Sequence, residues 1–244
     1  MDFLAKLPNS YPSMQVTQVF SLPRAKVDQL LMMIPFYRDV KQSEAWQYEV
    51  LLQHSRIVSF EPGEVVIARG DTDSWMYYVL KGKLIVYPGD KDHRGDPVNQ
   101  ITPGEVFGDL AMLVNGKRSA TIVADDKSKE IQVFGTDFSV FGELDDCKTL
   151  SLKTKLLFYR RMVHSIRWKL EQYKMEHPTH RLVEELRKIK LYMGSKDGKE
   201  ELHAHHQQAK ALADILTAWN NEFGSKPQDK KEFDPTVVDT LDFK

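Results

Sequence analysis

The spacing of hydrophobic and polar positions changes near residue 147. Between residues 57 and 140, short apolar or β-branched runs alternate with glycines at nearly one glycine per strand length. The clearest runs cover residues 64–68, 76–80, 83–87, 120–124 and 130–134. Several short strands at this spacing are typical of a sandwich or barrel. Residues 88–97 contain two glycines and two prolines, which predicts the tip of a hairpin.

Helical spacing dominates on both sides of this β region. Residues 23–53 are predicted to form two helical stretches, the first ending at Pro35 and the second covering about 43–54. After residue 147, one long amphipathic helix is predicted up to Pro178. Its apolar stripe contains Leu152, Leu156, Val163, Ile166 and Leu170.

Two further helices are predicted over about 179–193 and 199–221, joined by a turn at 194–198. A short turn makes them an antiparallel helical hairpin. Met193 is placed on the apolar face of the first, and Trp219 on that of the second. Residues 225–244 are predicted to be a flexible tail.

Composition narrows the function classes. The chain has 244 residues, a formal net charge of −1 and a single cysteine, so it forms no internal disulfide and fits a reducing compartment. No uncharged apolar stretch approaches the length of a membrane span, and the first residues do not resemble a signal peptide. We therefore expect a cytoplasmic protein. The net charge gives no general case for nucleic-acid or membrane binding.

The segment 104–121 carries the chemistry. Gly108 allows close approach of the backbone to a ligand, and residues 109–113 can form one helical turn whose free N–H groups attract an anion. Arg118 offers a charged fork suited to phosphate, whereas Asp109 suits sugar hydroxyls. The two together suggest a ligand with phosphate beside ribose. The alternative is a glycine-rich turn with a surface Asp–Arg ion pair, which contributes little.

The run 107–111, Phe-Gly-Asp-Leu-Ala, followed by Arg-Ser-Ala-Thr at 118–121, resembles the phosphate-binding cassette of the cyclic-nucleotide-binding domain family. That family includes the catabolite activator protein and the regulatory subunit of protein kinase A. Residues 60–65 are similar to its first-strand signature, and Gly70, Tyr77 and Gly82 fall at its spacing. The resemblance covers about residues 30–175.

This resemblance implies an α+β fold, an eight-stranded β-roll with flanking helices and a long C-terminal helix, followed here by the helical hairpin. We divide the chain into an N-terminal helical segment (1–30), the β-roll with its long helix (31–176), the hairpin (177–224) and the tail (225–244).

The resemblance also implies the ligand-binding residues. Arg118 would pair with the phosphate, Asp109 would accept from the ribose 2′-hydroxyl, and Ser119 would lie near the phosphate or purine. Backbone N–H groups would come from the turn, and His164 is a candidate contact to the base. The ligand-binding set predicted in this way is Phe107, Gly108, Asp109, Leu110, Ala111, Arg118, Ser119 and His164.

Two residues depart from the family pattern. Asp109 stands where glutamate is usual, and its shorter side chain weakens ribose recognition. Lys117 stands where proline is common, and it adds a cation near the phosphate. His164 has the alternative of being an ordinary helix-surface residue.

The remaining sequence features do not favour metal binding, DNA binding or catalysis. Three histidines lie at 203, 205 and 206, and His203 and His206 have the i, i+3 spacing of a helical metal pair. No clear third ligand accompanies this pair, so no metal and no cofactor is predicted. Residues 148–190 hold 12 lysines and arginines against four acids, a patch that suits DNA, an anionic membrane, an acidic partner or solvent. After Pro178 no winged-helix pattern follows, so DNA binding is possible but not favoured. No catalytic constellation stands out.

We therefore predict a non-enzymatic regulatory protein that senses a cyclic nucleotide, first of all cAMP, and relays it through its C-terminal helices to an unknown protein partner. The stripe of the long helix makes a homodimer plausible. The alternatives are a non-binding interaction module with a decayed pocket, and a DNA-binding transcriptional regulator of the same family.

Overall fold

A computed structural model describes residues 14–92, 94–114 and 116–223. The strands among them are β1 (Gln15–Gln18), β2 (Ser55–Phe60), β3 (Val65–Ile67), β4 (Trp75–Lys81), β5 (Leu84–Tyr87), β6 (Asn99–Ile101), β7 (Val106–Phe107), β8 (Thr121–Ala124) and β9 (Ile131–Asp137). They form two antiparallel sheets, ordered β1-β2-β9-β4-β7 and β3-β8-β5-β6. Each of the five predicted runs contains or overlaps one strand, and the predicted hairpin tip joins β5 to β6. The predicted α+β roll is confirmed.

The described residues contain nine strands rather than the eight predicted, because β1 lies in the segment 1–30 that we expected to be helical. Val16 of β1 stands opposite Val58 of β2. This pairing supplies hydrogen-bond partners along the edge of β2, which would otherwise be exposed. A short edge strand carries little periodic signal, and the sequence pattern missed it.

Three helices precede the roll: α1 (Arg24–Leu31), α2 (Pro35–Ser43) and α3 (Ala45–Gln53). Pro35 begins α2 instead of only ending the helix before it, which corrects our expectation of two stretches. Proline suits the first helical position because the N–H group it lacks would have no partner within the helix there.

The C-terminal helices are α4 (Leu152–Glu176), α5 (Arg181–Lys188) and α6 (Lys199–Phe223). Ser151 caps α4 by accepting a hydrogen bond from the backbone N–H of Thr154 at 3.0 Å. The helix predicted over 179–193 is shorter than expected, because Ile189 is extended (φ −76°, ψ 101°). Met193 is 89% exposed and lies on no buried face, which corrects its predicted position.

α6 packs along α4 as well as beside α5. Tyr173 and Trp219 stack with ring centroids 5.4 Å apart, and the Arg160 guanidinium forms two hydrogen bonds with the Glu201 carboxylate, at 2.8 and 2.6 Å. The predicted stripe of α4 is therefore largely buried within the same chain, and Ile166 and Leu170 are fully covered. Burial of this stripe requires no second copy of the chain.

Two hydrophobic clusters result from this arrangement. One lies inside the roll between the two sheets, and the other joins the helices to the outer face of the five-stranded sheet. In the part of the chain that the structure describes, no helix combines the length and hydropathy needed to cross a bilayer. The predicted tail, 225–244, lies outside the described residues.

Candidate functional site

The turn after β7 is shaped around a glycine. Gly108 has a φ of 76°, in the left-handed region, and a 3₁₀ turn (Asp109–Met112) follows it. A Cβ atom at position 108 would lie 2.5 Å from Nη1 of Arg118. Glycine is therefore required here both by the backbone conformation and by the approach of Arg118.

Arg118 is held rigidly beneath this turn. Its side chain is 2% exposed and forms a bidentate ion pair with Asp73, with 3.0 Å between Nε and Oδ2. Nη1 donates to the Gly108 carbonyl at 2.6 Å, and Nη2 donates to the Trp75 carbonyl at 2.5 Å. The alternative of a surface Asp109–Arg118 pair is wrong, since both residues are buried and Arg118 pairs with Asp73.

Counting donors shows what Arg118 has left for a ligand. A guanidinium carries five N–H groups. Among the described residues, Nε donates its one N–H group to Asp73, Nη2 donates two, to Asp73 and to the Trp75 carbonyl, and Nη1 donates one to the Gly108 carbonyl. A single Nη1–H group therefore remains. Arg118 can therefore direct one hydrogen bond at an anion while its orientation is fixed by the other four.

Asp109 is the least satisfied polar group of the site. It is 2% exposed, and Oδ2 is fully buried without a hydrogen bond from any described residue. A buried carboxylate oxygen without a donor costs free energy, on the order of 1–3 kcal/mol or more. A ligand hydroxyl would supply the missing donor.

A cavity lies between this turn, the roll and the C-terminal helices. Its apolar wall includes Ile67, Val86, Ile101 and Ile122, which come from strands or strand ends of the four-stranded sheet. Polar groups line the rest, and α4 and α6 close it. An apolar cleft with a few converging polar groups is the usual form of a small-molecule site.

Six of the eight predicted ligand-binding residues line this cavity. They are Gly108, Asp109, Leu110, Ala111, Arg118 and Ser119.

The other two predicted residues lie elsewhere. Phe107 is buried in the core of the roll and stacks on Tyr77, with ring centroids 5.3 Å apart. His164 is exposed and does not line the cavity. Lys169 lines the cavity and lies five residues after His164, which is about 140° further around the helix. His164 therefore faces a different direction.

Four residues of the site were missed by the sequence analysis. Asp73 orients Arg118, while Lys169, Tyr173 and Asn220 line the cavity from α4 and α6. Burial raises the pKa of Tyr173 to about 12, so its hydroxyl remains protonated at neutral pH and can donate. Tyr173 follows Leu170, the last residue of the predicted stripe, by three positions and so lies close to that stripe, but no local pattern pointed to Asp73 or Asn220.

The histidines of α6 have protein partners. His203 lies 3.0 Å from Asp145, and His205 lies 3.2 Å from Glu201, in each case from Nε2 to a carboxylate oxygen. Across the described ranges, no three His, Cys, Asp or Glu side chains converge as a metal site would require.

Comparison with known proteins points to one family. Residues 57–142 match the family model described as the cyclic nucleotide-binding domain. The chain is 28% identical over 109 residues to the cAMP-dependent protein kinase regulatory subunit of Dictyostelium discoideum, covering 43% of this chain and 33% of that protein. It is 33% identical over 92 residues to the corresponding subunit of Mucor circinelloides f. lusitanicus, covering 37% and 21%.

The match thus spans a third or less of the length of these curated relatives. Among solved structures, the regulatory domain of Toxoplasma gondii PKA crystallised with cAMP aligns over 57% of this chain and 49% of that one, with 19% identity and a TM-score of 0.42. The matched residues 57–142 contain the glycine turn, Asp73 and Arg118, and lie within the two-sheet roll. Over residues 57–142, the chain therefore matches the cyclic nucleotide-binding domain family.

Proposed function

We propose that this protein senses a cyclic nucleotide in the cytoplasm, with cAMP as the first ligand to test, and that it performs no catalysis. The ligand occupies the cavity between the glycine turn and the C-terminal helices. Its phosphate lies at Arg118 and Ser119, and its ribose lies at Asp109.

The observation that carries this proposal is the buried carboxylate of Asp109, whose Oδ2 accepts no hydrogen bond from any described residue, in the same cavity as Arg118. A cyclic nucleotide has a singly charged phosphate beside a free 2′-hydroxyl. The hydroxyl can donate to Asp109, and the phosphate can accept the remaining Nη1–H of Arg118. Asp73 neutralises part of the Arg118 charge, which favours a monoanion over a more highly charged phosphate.

The same cavity supports a relay through the C-terminal helices. Lys169 and Tyr173 of α4 line it together with Leu216 and Asn220 of α6. A bound nucleotide would contact both helices. It would shift the equilibrium between two arrangements of these helices by binding more tightly to one arrangement than to the other. The output is proposed to be a contact between these helices and a protein partner.

The C-terminal arrangement gives no support to DNA binding. Among the described residues after α4, there are two helices and no strand, so no wing follows. Many cations of the basic segment 148–190 are paired with acids, as in the pairs Arg160–Glu201 and Arg181–Glu222. A homodimer stays a prediction, because the stripe that suggested it packs within the chain. A light-scattering mass of two chains at micromolar concentration would support it.

The test is isothermal titration calorimetry with cAMP, cGMP and cyclic di-GMP on the wild type, Arg118→Lys and Lys127→Ala. Lysine keeps the charge at position 118 but lacks the fork that holds Asp73 and the turn, so affinity should fall about tenfold or more. Lys127 is exposed, and its replacement should leave binding unchanged. Absence of binding by every ligand at millimolar concentration would favour the decayed-pocket alternative.

A further inference from the structure

The last turns of α6 place a carboxamide in the cavity. Asn220 is 7% exposed and lines the cavity. Its Oδ1 accepts a hydrogen bond from the hydroxyl of Tyr173 at 3.2 Å, and the neighbouring Trp219 stacks on the same Tyr173 ring. The hydrogen bond orients the Asn220 amide relative to α4, and the stacking holds the Tyr173 ring that donates it.

The end of α6 is also fastened to the rest of the chain. Arg69 donates from Nη2 to Oδ1 of Asn221 at 3.0 Å. Glu222 pairs with His180 at 3.0 Å and with Arg181 at 2.8 Å. The two residues that follow Asn220 are therefore tied to other parts of the chain, which holds this end of the helix in place, and a rigid support of this kind is a condition for selective recognition of a ligand.

Asn220 retains hydrogen-bonding capacity. A carboxamide has two lone pairs on oxygen and two N–H donors. Tyr173 occupies one lone pair, and Nδ2 makes no hydrogen bond to any described residue. One acceptor and two donors remain for a ligand in the cavity.

This pattern matches one purine better than the other. Adenine presents the N7 acceptor beside the N6 amino donor, the pair that an asparagine amide recognises in bidentate fashion. Guanine presents two acceptors, N7 and O6, which suit a cationic donor. Lys169 is such a donor, and two of its three N–H groups remain after Nζ donates to the carbonyl of Val106 at 3.1 Å. That hydrogen bond holds the ammonium beside the end of β7, next to the turn that is assigned to the phosphate.

The turn and Arg118 are assigned to phosphate and ribose, so the base is left to the groups of α4 and α6. We infer that Asn220, oriented by Tyr173, recognises the N7–N6 edge of an adenine base and makes the site selective for adenine over guanine. This inference rests on the proposed function. It places the specificity of the cavity on a helix outside the matched domain, residues 57–142.

Changes on the ligand test this inference without any risk to folding. The wild type is titrated with cAMP, with its 7-deaza analogue and with cyclic IMP, in which an oxygen acceptor replaces the N6 amino group. A bidentate contact is worth about 5- to 150-fold in affinity, so each analogue should bind several-fold more weakly than cAMP. Equal affinities for the three ligands would overturn the inference.

Changes on the protein complete the test. Asn220→Ala should reduce the preference for cAMP over cGMP and over the 7-deaza analogue towards unity. Gln207→Ala, an exposed amide on the same helix, should leave these ratios unchanged. Binding of cGMP by Asn220→Ala reports that the variant is folded. Selectivity that survives in Asn220→Ala refutes this role, whereas a failure of the wild type to bind any cyclic nucleotide refutes the proposed function itself.

Discussion

Asp109 should stabilise the complex with the ligand at the expense of the empty protein. Its carboxylate is 2% exposed, and Oδ2 has no hydrogen bond among the described residues. Asp109→Asn keeps the shape of the side chain and removes the buried charge. Because a neutral amide loses less hydration than a carboxylate on burial, we expect the ligand-free variant to be as stable as the wild type or more stable.

The size of the effects on stability and on affinity follows from the burial and hydrogen bonding of Asp109. A buried polar group without a hydrogen-bond partner costs about 1–3 kcal/mol. The free energy of unfolding of ligand-free Asp109→Asn should therefore exceed that of the wild type by no more than this amount. A hydrogen bond to a charged group contributes roughly 1.5–3 kcal/mol, so the dissociation constant for cAMP should rise by about 10- to 150-fold.

Urea unfolding without ligand and calorimetric titration measure the two effects separately. Asp214→Asn serves as the matched control, because Asp214 is an exposed carboxylate on α6, and both quantities should stay within error. A loss of stability of 1 kcal/mol or more in ligand-free Asp109→Asn, on the scale of this same estimate, would refute the argument. It would show that the carboxylate stabilises the fold rather than the complex.

Two other substitutions test the geometry of the site and of the α4–α6 contact. Gly108→Ala should lower the melting temperature more than Gly116→Ala does. Both glycines have a positive φ, but a Cβ at 108 would lie 2.5 Å from Arg118, whereas a Cβ at 116 would have no described atom within 4 Å. Equal losses of stability would disprove the contact argument. Hydrogen bonding by Arg160 lowers the pKa of Glu201 from 4.5 to about 2. The stability that the charged Glu201 gains from Arg160 and from its further hydrogen bonds to Asp197 and His205, up to roughly 3 kcal/mol, is therefore present above pH 4.5 and lost as the pH falls towards 2. Glu201→Gln should be less stable than the wild type at neutral pH and should lose less on acidification in urea unfolding, and parallel pH profiles would contradict this.

The roll and most of the turn could be predicted because their signals are local. Alternating runs between glycines predicted five strands, and the resemblance of residues 107–111 and 118–121 to the family cassette implied a phosphate-binding turn. The backbone at Gly108 is the conformation that such a turn needs. Periodicity was less informative where it ended gradually, as in the helix that stops at Lys188 rather than near 193.

Groups brought together from distant parts of the chain were not predictable. Asp73 and Arg118 are 45 residues apart, and Asn220 follows Tyr173 by 47 residues. His164 was chosen for its position along the long helix, yet the helical rotation relative to the roll places Lys169 and Tyr173 at the cavity instead.

By itself, the sequence determined the element types and the turn chemistry, because hydrogen bonds along the chain and side-chain periodicity depend on near neighbours. Tertiary packing alone decided that Arg118 is held by Asp73, that Oδ2 of Asp109 is buried without a donor among the described residues, and that α6 closes the cavity with Asn220. The reason is that burial and convergence depend on how helices and sheets dock, and the hydrophobic effect that drives docking has no direction of its own.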